Sequence, residues 1–361
     1  MLSKEDSIQQ INRTIEQVVQ TAKVEGKLTG FFIGNTAKID SYGLYFTPIR
    51  NTSIMVAGGV VVYSEKQAID VAKAVDGKVQ YILVDAEKKI PNEMSLSGEP
   101  ANVERAVREV IQDSALWVYK GNDLSVDAID ALLAQLTKKS VLGIGGSHIS
   151  ILGAGNLGTK LALKLVERGA NVTISRRKQD VLDAVVKALN YIKPIYTTAI
   201  IKGTTSNEDA AKGAEILVGS TQGKPIITSK IIENLADQAI IVDVGKGTLH
   251  HDAIKMAEKR NLNIYRLDVS AAFEGVINKL WATENIVEKK FGRRFFYEEN
   301  LVSGGLLGRN NEIIVDNVWS PTLIYGIADG TGDFVRNLSA NQSRRIKRLQ
   351  SFIENTDGTN V

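Results

Sequence analysis

Six residues near the middle of the chain, Gly153-Ala154-Gly155-Asn156-Leu157-Gly158, have the spacing GxGxxG. The first glycine permits a tight turn. The second lets backbone approach a pyrophosphate, and the third lets a helix pack closely on a strand. The free N–H groups and positive dipole end of a helix start suit an anion. Alone the spacing is a weak signal; its flanks strengthen it. The apolar run 148–152 reads as a strand, 157–168 as a helix and 172–175 as a second strand, which completes a βαβ unit. Gly153, Ala154, Gly155, Asn156, Leu157 and Gly158 are therefore expected to hold a dinucleotide's pyrophosphate.

The second strand of that unit ends in Ser175-Arg176-Arg177-Lys178. An Asp or Glu there would accept a hydrogen bond from a ribose 2′-hydroxyl. A guanidinium instead grips a phosphate by paired hydrogen bonds and stacks on adenine. NADP is the expected cofactor, with Ser175, Arg176 and Arg177 at its 2′-phosphate; the plainer alternative is a solvated basic turn. Two later strands, within 215–225 and 239–248, end in polar, glycine-bearing turns. They place Ser220, Thr221, Gln222, Val244 and Gly245 where the nicotinamide should lie.

Hydride transfer also needs a proton donor or acceptor. Lys246 and His250 follow the strand expected to end beside the cofactor, although His250 and His251 could simply cap the next helix. Asp85 and Lys120 follow the strands 81–84 and 115–119 and could form an acid–base pair, with a surface ion pair as the alternative. Tyr42, Tyr45 and Arg50 share an apolar-aromatic stretch that could hold an anionic or ring substrate, or pack in the core. The segments 303–309 and 325–333 concentrate glycine and carboxylates, suited to a ligand or to tight turns. The run 344–348, rich in Arg and Lys, reads as a solvated helix face.

Composition narrows the function classes. Among 361 residues, 44 Lys+Arg against 41 Asp+Glu leave a formal charge of +3, too small to argue for nucleic acid or a membrane as partner. Cysteine is absent, which removes disulfides and thiolate chemistry and fits a reducing compartment. Only three His are present, so a multi-histidine metal centre is not expected, and no metal is assigned. The polar N-terminus lacks a secretory pattern, and no apolar run is long enough to span a bilayer. A cytoplasmic protein with a small-molecule substrate is expected, and the general frequency of oligomers suggests a homodimer.

The fold expected is α/β: a Rossmann-like, doubly wound parallel sheet domain at 141–280 and an N-terminal mixed α/β substrate domain at 1–140. A hairpin and helical segment at 281–361 could return to the first domain. Helices are predicted at 4–24, 65–75 and 125–136. Short strands at 54–56 and 60–63 are separated by a turn or bulge at Gly58-Gly59. Segments 301–307 and 312–316 are expected to pair as a hairpin around 308–311.

From 147 to about 248 the chain resembles the NADP-binding domain of methylenetetrahydrofolate and methylenetetrahydromethanopterin dehydrogenases, through GSTQGKP followed by IIVDVG. GAGNLG and ISRR also resemble glutamyl-tRNA reductase and shikimate dehydrogenase. The resemblance implies a two-domain NADP-dependent oxidoreductase with substrate in the interdomain cleft. It does not extend to the catalytic residues. The folate enzymes' Tyr and Lys four residues apart are not matched, since Phe46 follows Tyr42, and glutamyl-tRNA reductase needs a cysteine. Two other readings stay open: net non-redox chemistry with tightly bound nucleotide, as in a cyclodeaminase or epimerase, and a non-catalytic NADP sensor.

Overall fold

The computed structural model describes residues 4–36, 43–91, 99–221 and 224–357. Contacts divide the chain into a body of residues 1–277 and one of residues 278–361.

The first body opens with α1 (Lys4–Glu25), which buries Ile11, Ile15, Val18 and Ala22. Their spacing forms one stripe of a helix. β1 (Leu28–Asn35), β2 (Tyr45–Phe46), β3 (Arg50–Asn51) and β4 (Met55–Val62) follow. Then come α2 (Glu65–Val75), β5 (Tyr81–Asp85), α3 (Val103–Arg108), β6 (Ala115–Tyr119) and α4 (Gly121–Leu136). β4, β1, β5 and β6 lie side by side and parallel, with β2 and β3 antiparallel on the outer edge of β4.

The expected break at Gly58-Gly59 does not occur: β4 runs straight through both glycines. They are there for close approach. A Cβ on Gly58 would sit 2.4 Å from Thr14 Cγ2 of α1, and one on Gly59 would sit 2.5 Å from the Phe32 ring and 2.6 Å from the Phe32 carbonyl oxygen. Helix α4 likewise starts four residues before its predicted position. Its first N–H groups find carboxylates, with Asp85 Oδ1 accepting from Gly121 N at 3.1 Å and Glu87 Oε2 from Asn122 N at 2.7 Å.

The second sheet of this body is built from β7 (His148–Leu152), α5 (Asn156–Glu167), β8 (Asn171–Ser175), α6 (Gln179–Ile192), β9 (Ile201–Thr204) and α7 (Asn207–Ala211). It continues with β10 (Ile216–Gly219), α8 (Ser229–Glu233), β11 (Ile240–Asp243), α9 (His251–Lys259) and β12 (Ile264–Arg266). All its pairings are parallel, in the order β12-β11-β10-β7-β8-β9. Counted from β7, this is the 3-2-1-4-5-6 order of a Rossmann sheet, and its reversal between β7 and β10 opens a crevice at the carboxyl ends. The expected doubly wound α/β domain is present.

Helix α4 packs into the core of this second sheet: Ile129 and Leu133 are fully buried in one cluster with Ile149, Ile151, Leu161 and Leu165. Two cations of α5 and its C-cap Arg168 meet three carboxylates of α4. Lys160 lies 2.6 Å from Asp123, Lys164 bonds Asp127, and Arg168 grips Asp130 with two nitrogens at 2.6 and 2.7 Å. Helix α10 (Ser270–Lys289) begins in the same body, where the Phe273 ring meets Phe32 of β1 at a tilt, with centroids 5.2 Å apart.

The second body carries β13 (Arg293–Phe296), β14 (Glu299–Ser303), β15 (Ile313–Val315), β16 (Ile324–Ile327) and α11 (Ala340–Asp357). The expected hairpin around 308–311 is replaced by one at Tyr297-Glu298, where both turn residues have positive φ, as a type I′ hairpin turn requires. The glycine-rich loop after β14 instead returns the chain so that β15 runs parallel to it. The basic run on α11 is not simply solvated. Arg345 holds the buried Glu299 at 2.7 Å, and Arg348 bonds both Glu299 and Glu298. Asp329 accepts from Thr331 N, Thr331 Oγ1 and Asp333 N, which makes this carboxylate part of its own turn.

Gly59→Ala should destabilise the protein by about 1–3 kcal/mol, because the added methyl meets a backbone oxygen that cannot rotate away. Urea unfolding measures it. A loss below about 0.5 kcal/mol, the scale of an uninvolved surface change, would contradict the straight passage of β4 beside Phe32.

Candidate functional site

The glycine-rich turn between β7 and α5 sits at the sheet's reversal point. Gly153 has φ of +110°, and a Cβ there would lie 3.1 Å from Thr221 Cγ2 and 3.2 Å from Ser220 backbone. A Cβ on Gly158 would lie 2.2 Å from Gly153 oxygen and 2.9 Å from Ser220 Oγ. Ser220 Oγ donates to the Gly153 carbonyl at 2.8 Å, which fastens the end of β10 to the turn. Gly155 is the N-cap of α5, and a Cβ there would meet nothing within 4 Å. Two glycines are thus closed by packing, and the middle one faces open space where a ligand's phosphates could come close to backbone. Ala154 is buried, Leu157 half-buried and Asn156 exposed.

At the end of β8 the side chains diverge. Ser175 is 2% exposed and its Oγ lies 2.6 Å from Asn207 Oδ1, so its hydroxyl is engaged internally. Arg176 bonds the Ala154 carbonyl and thereby braces the glycine-rich turn, while Arg177 and Lys178 are exposed. The basic patch beside the turn therefore consists of Arg176, Arg177 and Lys178, with Ser175 beneath it.

At the neighbouring strand ends, Val244 N and Gly245 N donate to Gly219 oxygen at 3.0 and 3.2 Å. Asp243, 3% exposed, accepts from Gly247 N at 2.9 Å and Thr248 Oγ1 at 2.7 Å. That carboxylate fixes a loop in which Lys246 has φ of +53° and an exposed side chain. Thr221 Oγ1 donates to Lys224 oxygen at 3.0 Å. Gln222 lies outside the described residues, as does Tyr42. His250 is the N-cap of α9 and exposed, and its backbone N donates to Ile227 oxygen at 2.9 Å.

The expected Asp85–Lys120 pair is not formed. Asp85, 2% exposed, binds Lys89 Nζ at 2.7 Å, whereas the exposed Lys120 lies 3.6 Å from Asp123. Lys89 stands four residues after Asp85, in the loop after β5, and carried no strand or helix pattern that would mark it. A Cβ on Gly121 would fall 2.6 Å from Asp85 Oδ2 and 2.9 Å from Lys89 Nζ, so any larger residue at the start of α4 would displace this pair.

Around this pair the carboxyl ends of β1, β5 and β6 gather polar groups. Asn35 Nδ2 donates to the Asp85 carbonyl at 2.9 Å. Burial pushes the Tyr119 phenol well above its usual range; the Asp85 charge adds to this and the Arg50 guanidinium opposes it. Arg50 also donates to Ser270 Oγ at 2.9 Å and lies over the Phe273 ring. Tyr45 is exposed on β2. Burial alone would raise the Glu87 carboxyl, but hydrogen bonds from Lys89, Asn122 N–H and Lys160 outweigh it and hold Glu87 below the ordinary range. Such a carboxylate favours the folded state above its unfolded pKa, and this contribution fades as pH falls through the lower folded value.

Comparison with known proteins bears on the same region. Residues 148–247 match the family described as NADP oxidoreductase, coenzyme F420-dependent. A glycerol-3-phosphate dehydrogenase [NAD(P)+] of Clostridium botulinum (strain Alaska E43 / Type E3) is 28% identical over 225 residues, covering 56% of this chain and 66% of that protein. The enzyme of the same name from Bacillus subtilis (strain 168) is 25% identical over 115 residues, covering 30% of this chain and 33% of the other. The chain therefore spans just under two thirds of the length of the first of these relatives. Among solved structures, the L-tryptophan dehydrogenase of Nostoc punctiforme aligns over 72% of this chain and 79% of its own, with 13% identity and a TM-score of 0.41. A shikimate dehydrogenase in complex with NADP+ aligns over 71% and 96%, with 17% identity and a TM-score of 0.38. The matched segment is a dinucleotide-binding Rossmann unit of the kind found in NAD(P)-dependent oxidoreductases, with no single family singled out. Among the described residues, no helix is long and apolar enough to cross a membrane, and no cluster of three His, Asp or Glu is arranged to hold a metal.

The geometry separates two roles for glycine. Gly158→Ala should unfold the protein at lower urea concentration, by about 1–3 kcal/mol, since its methyl meets a carbonyl oxygen. Gly155→Ala should change stability by less than about 0.5 kcal/mol and yet weaken dinucleotide binding, since its methyl projects into open space. Parallel unfolding and calorimetric titration compare the two; a Gly155→Ala protein that binds normally would contradict this placement of the phosphates.

Proposed function

We propose that the chain is an NADP-dependent dehydrogenase or reductase that moves a hydride to or from a small polar metabolite. The observation that carries this reading is the pairing of an open Gly155 with guanidinium groups at the end of β8, where no carboxylate stands to meet a ribose 2′-hydroxyl. NADP, when bound, supplies or takes up the hydride. The protein holds its pyrophosphate at the α5 N-terminus, with Arg176 and Arg177 at the 2′-phosphate and Ser220, Thr221, Val244 and Gly245 shaping the nicotinamide end. Arg176 contributes twice, since it also braces the turn through the Ala154 carbonyl.

On the substrate side, Asp85 and Lys89 are the groups best placed to hold or move a proton at the reacting oxygen or nitrogen, with Tyr119 and Arg50 beside them. Lys246 is a second candidate from the opposite sheet. The nearby cations Arg50, Lys89 and Lys246 suit a substrate with an anionic end. The names of the sequence relatives make glycerol 3-phosphate a reasonable first compound to assay. A cytoplasmic homodimer remains part of this proposal.

Replacing the exposed Arg177 with Ala, which leaves the Arg176 brace on the turn intact, removes charge-assisted hydrogen bonding worth about 1.5–3 kcal/mol. NADP affinity should therefore fall by about tenfold or more, and NAD affinity by less than about threefold. Calorimetric titration with each dinucleotide measures both. Equal weakening would remove the 2′-phosphate assignment. Substrate turnover without an absorbance change at 340 nm would replace net oxidoreduction with chemistry on a retained nucleotide.

A further inference from the structure

A chain of alternating charges runs from the dinucleotide helix to Asp85. Lys160, on the second turn of α5, lies 2.6 Å from Asp123 Oδ1 and 3.1 Å from Glu87 Oε1. The other oxygen of Glu87 takes Lys89 Nζ at 2.9 Å and Asn122 N at 2.7 Å. Lys89 then reaches Asp85 Oδ2 at 2.7 Å. A parallel link joins Asn122 Nδ2 to Asn156 Oδ1 at 3.0 Å, and Asn156 is itself part of the glycine-rich motif. The charged groups facing one another across the three elements are Asp85 at the end of β5 with Glu87 and Lys89 just after it, Lys120 and Asp123 at the start of α4, and Lys160 on α5.

Lys160 and Lys164 occupy successive turns of one helix face, but they do different work. Lys164 pairs with Asp127, and Arg168 with Asp130, both on α4 alone. Lys160 also reaches the loop after β5, so among the described residues of the ladder it is the one that ties α5 to the group holding Asp85. Glu87 is shielded, and it divides its two oxygens between the two lysines. Partly buried charges of this kind interact more strongly than exposed ones, because less water screens them.

We propose that Lys160, acting through Glu87, is a positioning residue that holds Lys89 and Asp85 in register with the dinucleotide and transmits its docking to them. This rests on the dinucleotide reading above. Negative charge arriving at the α5 N-terminus competes for Lys160. Glu87 is then shared more fully with Lys89, whose Nζ is held more tightly in its ion pairs and is less available to an acylating reagent. Neither lysine need touch the cofactor for this to occur.

Trace acetylation with acetic anhydride, read at Lys89 by mass spectrometry, tests the link without a substrate. In the unaltered protein, saturating NADP should slow Lys89 labelling by about threefold or more, a shift within reach of one charge acting across a partly buried network. Lys160→Arg should keep the response. Lys160→Met should lose it while its NADP affinity stays within about threefold, since α5 remains fixed by the other two rungs. Glu87→Gln, altered from the opposite side, should lose it as well and covers the case that Lys160→Met folds poorly. Labelling of Lys89 that ignores NADP in the unaltered protein, or that responds fully in both charge-removing variants, would overturn the proposal. Calorimetry on the same samples separates the two readings: heat with NADP but no change at Lys89 leaves the dinucleotide site standing, and no heat at all removes both.

Discussion

The join between α4 and α5 fixes everything that follows from it. Its energy comes mainly from apolar burial. Ile129 and Leu133 are fully buried between the sheet and these helices, at roughly 1.5–3 kcal/mol each. Each ion pair of the ladder is partly exposed and contributes about 0–1 kcal/mol. The ladder's use is register: Asp123, Asp127 and Asp130 recur at helical spacing opposite Lys160, Lys164 and Arg168, so sliding α4 by a full turn would strand one cation and one carboxylate. The dinucleotide helix is thereby set against the strand ends of the first sheet.

The same economy appears at the glycine-rich turn. Packing on Ser220 closes Gly153 and Gly158, leaving Gly155 as the open face. Arg176 is drawn back to the Ala154 carbonyl, and Ser175 is sealed under the strand end with Asn207. A basic tetrapeptide in the sequence thus becomes one brace, one buried hydroxyl and an exposed cationic rim. On the other side, Gly121 lets α4 begin against Asp85 and Lys89, and the first N–H groups of that helix are satisfied by the carboxylates that hold the lysines.

Much of the second sheet was legible in the sequence. Strands β7, β8, β10 and β11 and helices α5, α6 and α9 announce themselves by short apolar runs alternating with helical periodicity. The first sheet was legible in its strands but not in its joints. Gly58-Gly59 has the composition of a turn, yet the closeness of α1 and Phe32 makes it strand. The hairpin of the second body moved because Tyr297 and Glu298 accept positive φ, which no residue type there advertises.

The sequence by itself determined the alternation of elements and the glycine spacing, because periodicity and backbone sterics are local properties. It also determined that cations, not a carboxylate, follow β8. Only the tertiary structure decided which charges meet. Asp85 takes Lys89 rather than Lys120, and Lys160 reaches Glu87, because an ion pair depends on distances between elements far apart in the chain, and those distances are set by how helices and sheets pack.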